Sequence, residues 1–151
     1  MILTDSIKIK ASPVKIFDFL IGLKDTKSYK AWHSDHVVMS WIKGEPFTEG
    51  SIVYFEEYLH GALHKAKFIC TKVVPNRLIE YRSPFPLSII FPGNQFIIEP
   101  ADEENSFFKA TVKIRMGPLS GRMNRRQLDG VERHMQEEGQ NLKAILDRLE
   151  N

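Results

Sequence analysis

The C-terminal segment constrains the fold most, because residues 120–151 carry the pattern of one long amphipathic helix. At about 100° of turn per residue, a set of apolar side chains falls on one face of this helix: Leu128, Val131, Met135, Leu142, Ile145, Leu146 and Leu149. A helix with such a face buries it against another layer of the same domain. The rest of the chain must therefore form a surface that accepts this helix.

Two ionisable residues interrupt that apolar face. Glu138 lies near its middle, and His134, one turn earlier, lies at its edge. Because residues four apart on a helix are neighbours, the pair presents an imidazole and a carboxylate side by side, which suits a divalent metal such as zinc. Burying the carboxylate without a partner would be costly. A surface ion pair, or a slightly rotated apolar face, explains the same spacing without a metal.

Composition narrows the classes of function. With 151 residues, the chain is predicted to form one domain, 1–151, with room for a core. The formal charge of +2 gives no reason to expect a nucleic acid or an anionic membrane as partner. Cys70 is the only cysteine, which excludes an intrachain disulfide and fits a reducing compartment. Since no signal peptide or membrane span is evident, we expect a soluble, cytoplasmic protein of undetermined oligomeric state.

The order of predicted elements indicates an α+β fold. Alternation at Ile7 and Ile9 marks a first strand over residues 2–10, and Ser12 and Pro13 begin a helix whose predicted buried face is Val14, Phe17, Leu20 and Ile21. A second short helix follows over residues 25–32. Six strands are then predicted, over residues 37–42, 51–60, 63–74, 77–83, 88–99 and 106–116. A curved antiparallel sheet of about seven strands, wrapped around the long C-terminal helix, buries both apolar faces.

The strand over residues 51–60 carries a second carboxylate on a buried face. Val53, Phe55, Glu57 and Leu59 form its more apolar side and are predicted to face inward. Glu56 lies on the other side, with Tyr54 and Tyr58, and is predicted to tolerate water. Glu57 and Glu138 would repel each other across a cavity. A divalent cation bound between them, beside imidazoles, is the simplest way to offset that repulsion. Pairing of Glu57 with Lys65 or Lys67 is the alternative.

Local motifs resemble a known superfamily. Ile7-Lys8-Ile9, Ala11-Ser12-Pro13, the helix through Leu20, and then Tyr29 and Trp32 look like the opening of the START-like, or Bet v 1-like (SRPBCC), superfamily, which includes polyketide cyclases and lipid carriers. The resemblance covers nearly the whole chain. It implies a helix-grip fold with two short helices after the first strand and a deep cavity beneath the C-terminal helix. The superfamily hosts hydrolases, cyclases, isomerases and binders, so it fixes little about function.

Three further pieces resemble a narrower branch, the diacetylphloroglucinol hydrolases, which cleave the bond between an acyl group and a phenolic ring. The pieces are Trp32-His33-Ser34-Asp35-His36, Glu56-Glu57 and His134-x-x-x-Glu138. The branch holds zinc with two His and two Glu, so the resemblance implies His33, Glu57, His134 and Glu138 as ligands. His36 would either replace His33 as a ligand or contact the ligands without binding the metal itself. The hydrolase matches only through its C-terminal part, and His33 could instead hydrogen-bond a backbone carbonyl.

These observations lead to a functional hypothesis and two alternatives. The hypothesis is a metal-dependent hydrolase of a small apolar or phenolic carbonyl compound, in which the metal polarises the carbonyl or activates water. Glu56 or Asp35 would carry protons, and Tyr58 or Tyr29 would orient the substrate. Zinc, manganese, iron or cobalt would suit the donors. Candidate cavity aromatics are Trp41, Tyr54, Tyr58, Phe68, Phe85, Phe91 and Phe96. The alternatives are a non-catalytic carrier of an apolar or aromatic ligand, and a cyclase or isomerase without metal.

Overall fold

The computed structural model describes residues 1–115 and 125–149. The helices and strands follow the predicted order: β1 Ile2–Ile9, α1 Pro13–Ile21, α2 Thr26–Trp32, β2 His36–Lys43, β3 Ile52–Leu59, β4 Ala62–Val74, β5 Leu78–Arg82, β6 Gly93–Pro100, β7 Ser106–Lys113 and α3 Arg125–Leu149. The strands form one antiparallel sheet of seven in the order β1-β7-β6-β5-β4-β3-β2. The predicted α+β helix-grip fold, with two short helices after the first strand, is confirmed.

Helix α1 begins as the sequence predicts, but its buried face is rotated. The Ser12 side chain accepts a hydrogen bond from the Lys15 amide, and Pro13 occupies the first turn. Ile16, Phe17 and Leu20 are buried, whereas Val14 is 49% exposed. The prediction for Val14 was wrong because Ile16 and Leu20, one turn apart, centre the apolar face nearer to Phe17.

The predicted strand over residues 88–99 begins later than its apolar pattern suggests. A single 3-10 turn occupies Leu87–Ile89, and pairing with β5 and β7 starts only near Gly93. Pro84 and Pro86 precede this stretch and Pro92 lies within it, and proline has no amide hydrogen to donate to a ladder. Residues 116–124, which include the predicted ends of the last strand and the start of the last helix, lie outside the described part of the chain.

Helix α3 contacts β1, β3 and β7 and so closes the concave side of the sheet. Met135, Leu142 and Leu146 of the predicted apolar face are buried, while Leu149 is 76% exposed. Two glycines let the helix approach closely, because a Cβ on Gly139 would touch Ile7 and one on Gly130 would collide with the His60 ring.

A row of aromatic rings crosses the concave face beneath α3, one from each strand from β3 to β7. We call Phe55, Phe68, Tyr81, Phe96 and Phe108 the aromatic row. Successive ring centres lie 4.7, 5.7, 6.2 and 5.5 Å apart. These separations are typical of favourable aromatic pairs. The row therefore forms a continuous apolar layer under the helix.

Candidate functional site

Four side chains from three elements converge between the sheet edge and α3. His36 at the start of β2 lies directly opposite Glu57 of β3 in the ladder, and α3 adds His134 and Glu138. We call these four residues the His/Glu cluster. His134 Nε2 lies 3.1 Å from Glu57 Oε2 and 3.6 Å from Glu138 Oε2. His36 Nε2 lies 3.2 Å from Glu138 Oε2, 3.7 Å from Glu57 Oε2 and 3.3 Å from His134 Nε2.

The end of α2 places His36 against α3. Asp25 and Ser28 form a capping box that fixes where α2 begins, and the helix ends at Trp32. The Trp32 indole Nε1 donates to the Glu138 carbonyl oxygen at 2.9 Å, and Asn141 Nδ2 donates to the Trp32 carbonyl oxygen at 3.0 Å. Both bonds tie Trp32, at the end of α2, to the helix that carries His134 and Glu138.

The orientation and tautomer of His36 follow from its surroundings. Its Nδ1 lies 2.8 Å from the Tyr29 carbonyl oxygen, which can only accept, so Nδ1 carries a hydrogen. The imidazole also stacks on the Tyr29 ring, with centres 3.7 Å apart and planes 3° from parallel. In neutral His36 the Nε2 lone pair therefore points into the cluster, which is the arrangement that metal-binding histidines use.

His33 is held by two other partners. Its Nε2 lies 2.7 Å from Glu137 Oε2, and its Nδ1 accepts the Asp35 amide hydrogen at 2.8 Å. Both nitrogens are thereby engaged outside the cluster. The structure brings His36, rather than the His33 expected from the narrower resemblance, beside Glu57, His134 and Glu138. His33 does form a second group with Asp35 and His134 whose donor atoms lie within 4.8 Å of one another.

The cluster strongly perturbs its own titration. Burial disfavours the charged form of His134, but Glu138 and Glu57 outweigh burial and raise the pKa of His134 to about 11. Burial likewise opposes ionisation of Glu138, yet His134 and His36 lower the pKa of Glu138 to about 2. Burial and the charge of Glu57 raise the pKa of Tyr29, whose hydroxyl donates to Glu57 Oε2 at 2.8 Å. Without a metal, the charged forms of His134 and Glu138 thus stabilise each other.

The donor set fits a divalent metal. The donor atoms of His36, Glu57 and His134 lie within 4.8 Å of one another, and their three separations of 3.1, 3.3 and 3.7 Å bracket the roughly 3.3 Å between ligand atoms in a tetrahedral zinc site. A proton satisfies these donor atoms less well than a metal, because the hydrogen on His134 Nε2 cannot form hydrogen bonds to Glu57, Glu138 and His36 at the same time. Two imidazoles and a carboxylate suit zinc and neighbouring transition metals.

An apolar cavity of about 140 Å³ opens beside the cluster. Its wall includes most of the aromatic row together with Tyr29, Trp32 and Trp41, and Glu57, His134 and Glu138 supply its polar end. Engineered cavities of about 150 Å³ hold benzene. The cavity therefore has room for a compound of about one aromatic ring, with a polar group directed at the cluster.

The inward face predicted for β3 is found in the structure. Val53 and Phe55 are buried, and Glu57 and Leu59 line the cavity with them. Lys65 lies opposite Glu56 in the ladder, and Lys67 lies opposite Tyr54. Both lysines therefore belong to the outer face of the sheet, and the alternative pairing with Glu57 is not observed.

The three predicted catalytic side chains lie outside the cavity wall. Glu56 is on the outer face of β3, where its Oε2 accepts from the Tyr54 hydroxyl at 3.0 Å. Asp35 and Tyr58 line a separate polar pocket of about 180 Å³, together with Glu137. His134 lines both this pocket and the cavity. Of the residues considered for proton transfer or substrate orientation, Tyr29 hydrogen-bonds a member of the cluster, and Asp35 approaches His134 from the polar pocket, with donor atoms within 4.8 Å.

The predicted cavity aromatics divide between the two faces of the sheet and its loops. Trp41, Phe68 and Phe96 line the cavity, whereas Tyr54 and Tyr58 lie on the outer face and Phe85 is 80% exposed. Phe91 packs in a smaller apolar cluster with Leu3 and Met135. Sequence reasoning missed Tyr81 and Asn94. Alternation from Ile79 to Tyr81 and from Asn94 to Phe96 was the signal that could have placed them on the concave face.

Membrane insertion through a helix has no support in the described residues. None of their helices combines the length and the apolar character that crossing a bilayer requires.

Comparison with known proteins reveals likeness in structure alone. No family model and no curated protein matches the sequence. The Zhui aromatase/cyclase from a Streptomyces species matches 100% of this chain and 96% of its own, at 13% identity and a TM-score of 0.76. The match to Ara h 8.0201 covers 100% of this chain and 99% of the Ara h 8.0201 chain, at 12% identity and a TM-score of 0.73.

Two further solved structures extend the range of these likenesses. Major latex-like protein 151 from Panax ginseng matches 95% of both chains at 15% identity, with a TM-score of 0.69. The chain spans only 48% of the di-domain aromatase/cyclase BexL, at 10% identity and a TM-score of 0.74. The comparisons give no support to the narrower resemblance to diacetylphloroglucinol hydrolases. What they establish is that this chain has the helix-grip fold shared by aromatase/cyclases, Ara h 8 and the major latex-like proteins.

Proposed function

We propose that the protein binds a small, mainly apolar aromatic compound in its cavity, with the polar group of that compound at a divalent metal held by the His/Glu cluster. The observation that carries the proposal is the convergence of His36, Glu57 and His134 donors at the polar end of an aromatic cavity. Pockets that combine an apolar wall with a few convergent polar groups are typical binding sites.

Each member of the cluster has a distinct part in this proposal. His36 and His134 offer Nε2 and Glu57 offers a carboxylate oxygen, and the Tyr29 hydroxyl orients that carboxylate by donating to its Oε2. Glu138 contacts both imidazoles and would complete the coordination. We propose zinc as the metal, on the basis of the mixed nitrogen and oxygen donors. The likeness in fold to the aromatase/cyclases Zhui and BexL supports the choice of cavity.

Metal-dependent hydrolysis of an acyl phenol is the second candidate function. It is favoured by the cluster itself, because a bound metal can polarise a carbonyl oxygen or lower the pKa of a water molecule. Tyr29 and Glu138 are the side chains placed to orient a substrate or to hold a proton. Glu56, Asp35 and Tyr58 would need a different route, since they lie outside the cavity wall.

Calorimetric titration with zinc tests the metal site. We expect about one equivalent to bind to the wild-type protein after chelator treatment. His36→Gln should weaken binding at least about tenfold, as loss of a ligand does. His33→Gln is the matched control, because His33 is equally buried but engaged elsewhere, and it should bind zinc as the wild type does. Equal loss in both variants, or undiminished binding by His36→Gln, would overturn the assignment.

Ligand binding is tested separately with acetophenone, a one-ring ketone, followed by ligand-observed NMR. We expect binding to the zinc-loaded protein and weaker binding after zinc is removed. Release of acetate from an acyl phenol by the zinc-loaded protein, and not by Glu138→Gln, would favour the hydrolase. Binding without turnover would favour the carrier.

A further inference from the structure

The cavity wall also carries polar side chains that lie far in sequence from the His/Glu cluster, among them Asn94 and Thr111. Asn94 lies on β6 two residues before Phe96, so the two side chains share the concave face, and both line the cavity. Its cross-strand partner is Tyr81 of the aromatic row. Asn94 Oδ1 is buried and has no hydrogen-bond partner among the described residues.

An unpaired buried amide oxygen is unusual enough to need an explanation. About nine in ten buried polar groups are hydrogen-bonded, and leaving one unpaired costs about 1–3 kcal/mol. The neighbouring amide shows that this strand can satisfy such groups. Gln95, on the opposite face, donates from Nε2 to Glu80 Oε2 at 3.0 Å. Asn94 instead faces a cavity whose wall is mostly apolar.

We propose that Asn94 is a second anchor for the ligand and hydrogen-bonds a hydroxyl group that the ligand carries apart from the group at the metal. This inference rests on the proposed function and specifies its ligand class: a hydroxylated aromatic carbonyl compound. A hydroxyl both donates and accepts, so it matches either terminal atom of the amide. An apolar ring between two polar ends would lie against the aromatic row.

Tyr81 links the two ends of this arrangement. Its ring stands beside Asn94 in the sheet and packs against Phe68 and Phe96. Burial, Cys70 and the charge of Glu138 together raise the pKa of Tyr81, which keeps its hydroxyl protonated. Tyr81 lines the same cavity as Asn94, Glu57, His134 and Glu138. The Asn94 end and the metal end thus belong to one continuous wall.

The test compares acetophenone with 3- and 4-hydroxyacetophenone on the zinc-loaded protein. For the wild type, we expect at least one hydroxylated ketone to bind about two- to tenfold more tightly, as one added hydrogen bond allows. Asn94→Leu should abolish that preference. Ser83→Ala is the matched control, because Ser83 Oγ is also buried and unpaired within the described residues but lies outside the cavity wall. It should keep the preference.

The outcomes distinguish a failure of the role of Asn94 from a failure of the proposed function. If none of the three ketones binds, both the proposed function and the role of Asn94 are overturned. If all three bind equally to the wild type, or if the preference survives in Asn94→Leu, only the role of Asn94 is overturned. Thermal denaturation of each variant confirms that the comparison is made on folded protein.

Discussion

Two neighbouring groups of ionisable side chains lie at the end of α2, and they differ in how their hydrogen-bonding atoms find partners. In the outer group, His33 finds an acceptor in Glu137 and a donor in the Asp35 amide, so each nitrogen has one partner. In the inner His/Glu cluster, two carboxylates and two imidazoles meet with fewer protons than acceptors. A cation suits the inner group, where two carboxylates meet two imidazoles, better than it suits the outer group.

Zinc should have the largest effect that distinguishes the two groups. At a free zinc concentration about a thousandfold above its Kd, binding stabilises the folded state by about 4 kcal/mol. We expect this rise in the free energy of unfolding for the wild type and for His33→Gln, and its loss in His134→Gln. Urea denaturation with and without zinc measures it. Equal stabilisation of all three proteins would mean that zinc binds elsewhere.

Removing one carboxylate from each group gives a second contrast. Glu138→Gln leaves the buried, protonated His134 with less compensation, and breaking a buried pair costs about 3–5 kcal/mol. Glu137→Gln, one residue away, removes a carboxylate that is 39% exposed, and it should cost less than about 1 kcal/mol. Both values come from urea denaturation of metal-free protein. Similar losses in the free energy of unfolding for the two variants would contradict the conclusion that Glu138 is paired in a buried site and Glu137 in a partly exposed one.

The metal-free protein should be most stable between about pH 4.5 and 6.5. His134 has a folded pKa of about 11 against a reference of 6.5, so its contribution is full below pH 6.5 and is lost as pH rises towards 11. Glu138 has a folded pKa of about 2 against 4.5, so its contribution is lost as pH falls below 4.5. Either slope is at most about 1.4 kcal/mol per pH unit. His134→Gln should flatten the alkaline slope in chelator-treated samples, and an unchanged slope would contradict the assignment.

The smallest effect is expected outside the cavity. Glu56→Gln changes a side chain on the outer face of β3 that contacts Tyr54 rather than the cluster. We expect zinc affinity and acetophenone affinity within about twofold of wild type, the range of ordinary surface substitutions. A large loss in either titration would restore Glu56 as a functional residue.

Most of the fold could be predicted because its signals are local. Alternation along β3 placed Glu57 inward, and helical periodicity in α3 placed His134 beside Glu138. The late start of β6 could not be read from apolar pattern alone, since the prolines before Gly93 prevent pairing. The rotated face of α1, with Ile16 in place of Val14, depends on how the helix meets the sheet.

The choice between His33 and His36 could not be made from sequence. Both lie in one short motif, and the difference arises from tertiary hydrogen bonds: His36 Nδ1 to the Tyr29 carbonyl, and His33 to Glu137. Asn94 was missed for a related reason. An asparagine in a strand is not a signal by itself, and its meaning comes from the absence of a partner within the described structure.

The most direct test is a crystal structure of the protein grown with zinc, with anomalous data collected on both sides of the zinc absorption edge. The account predicts one strong anomalous peak bonded to His36 Nε2, His134 Nε2 and Glu57, with Glu138 beside it. A peak on His33 and Asp35 instead, or no peak in the His/Glu cluster at saturating zinc, would contradict it.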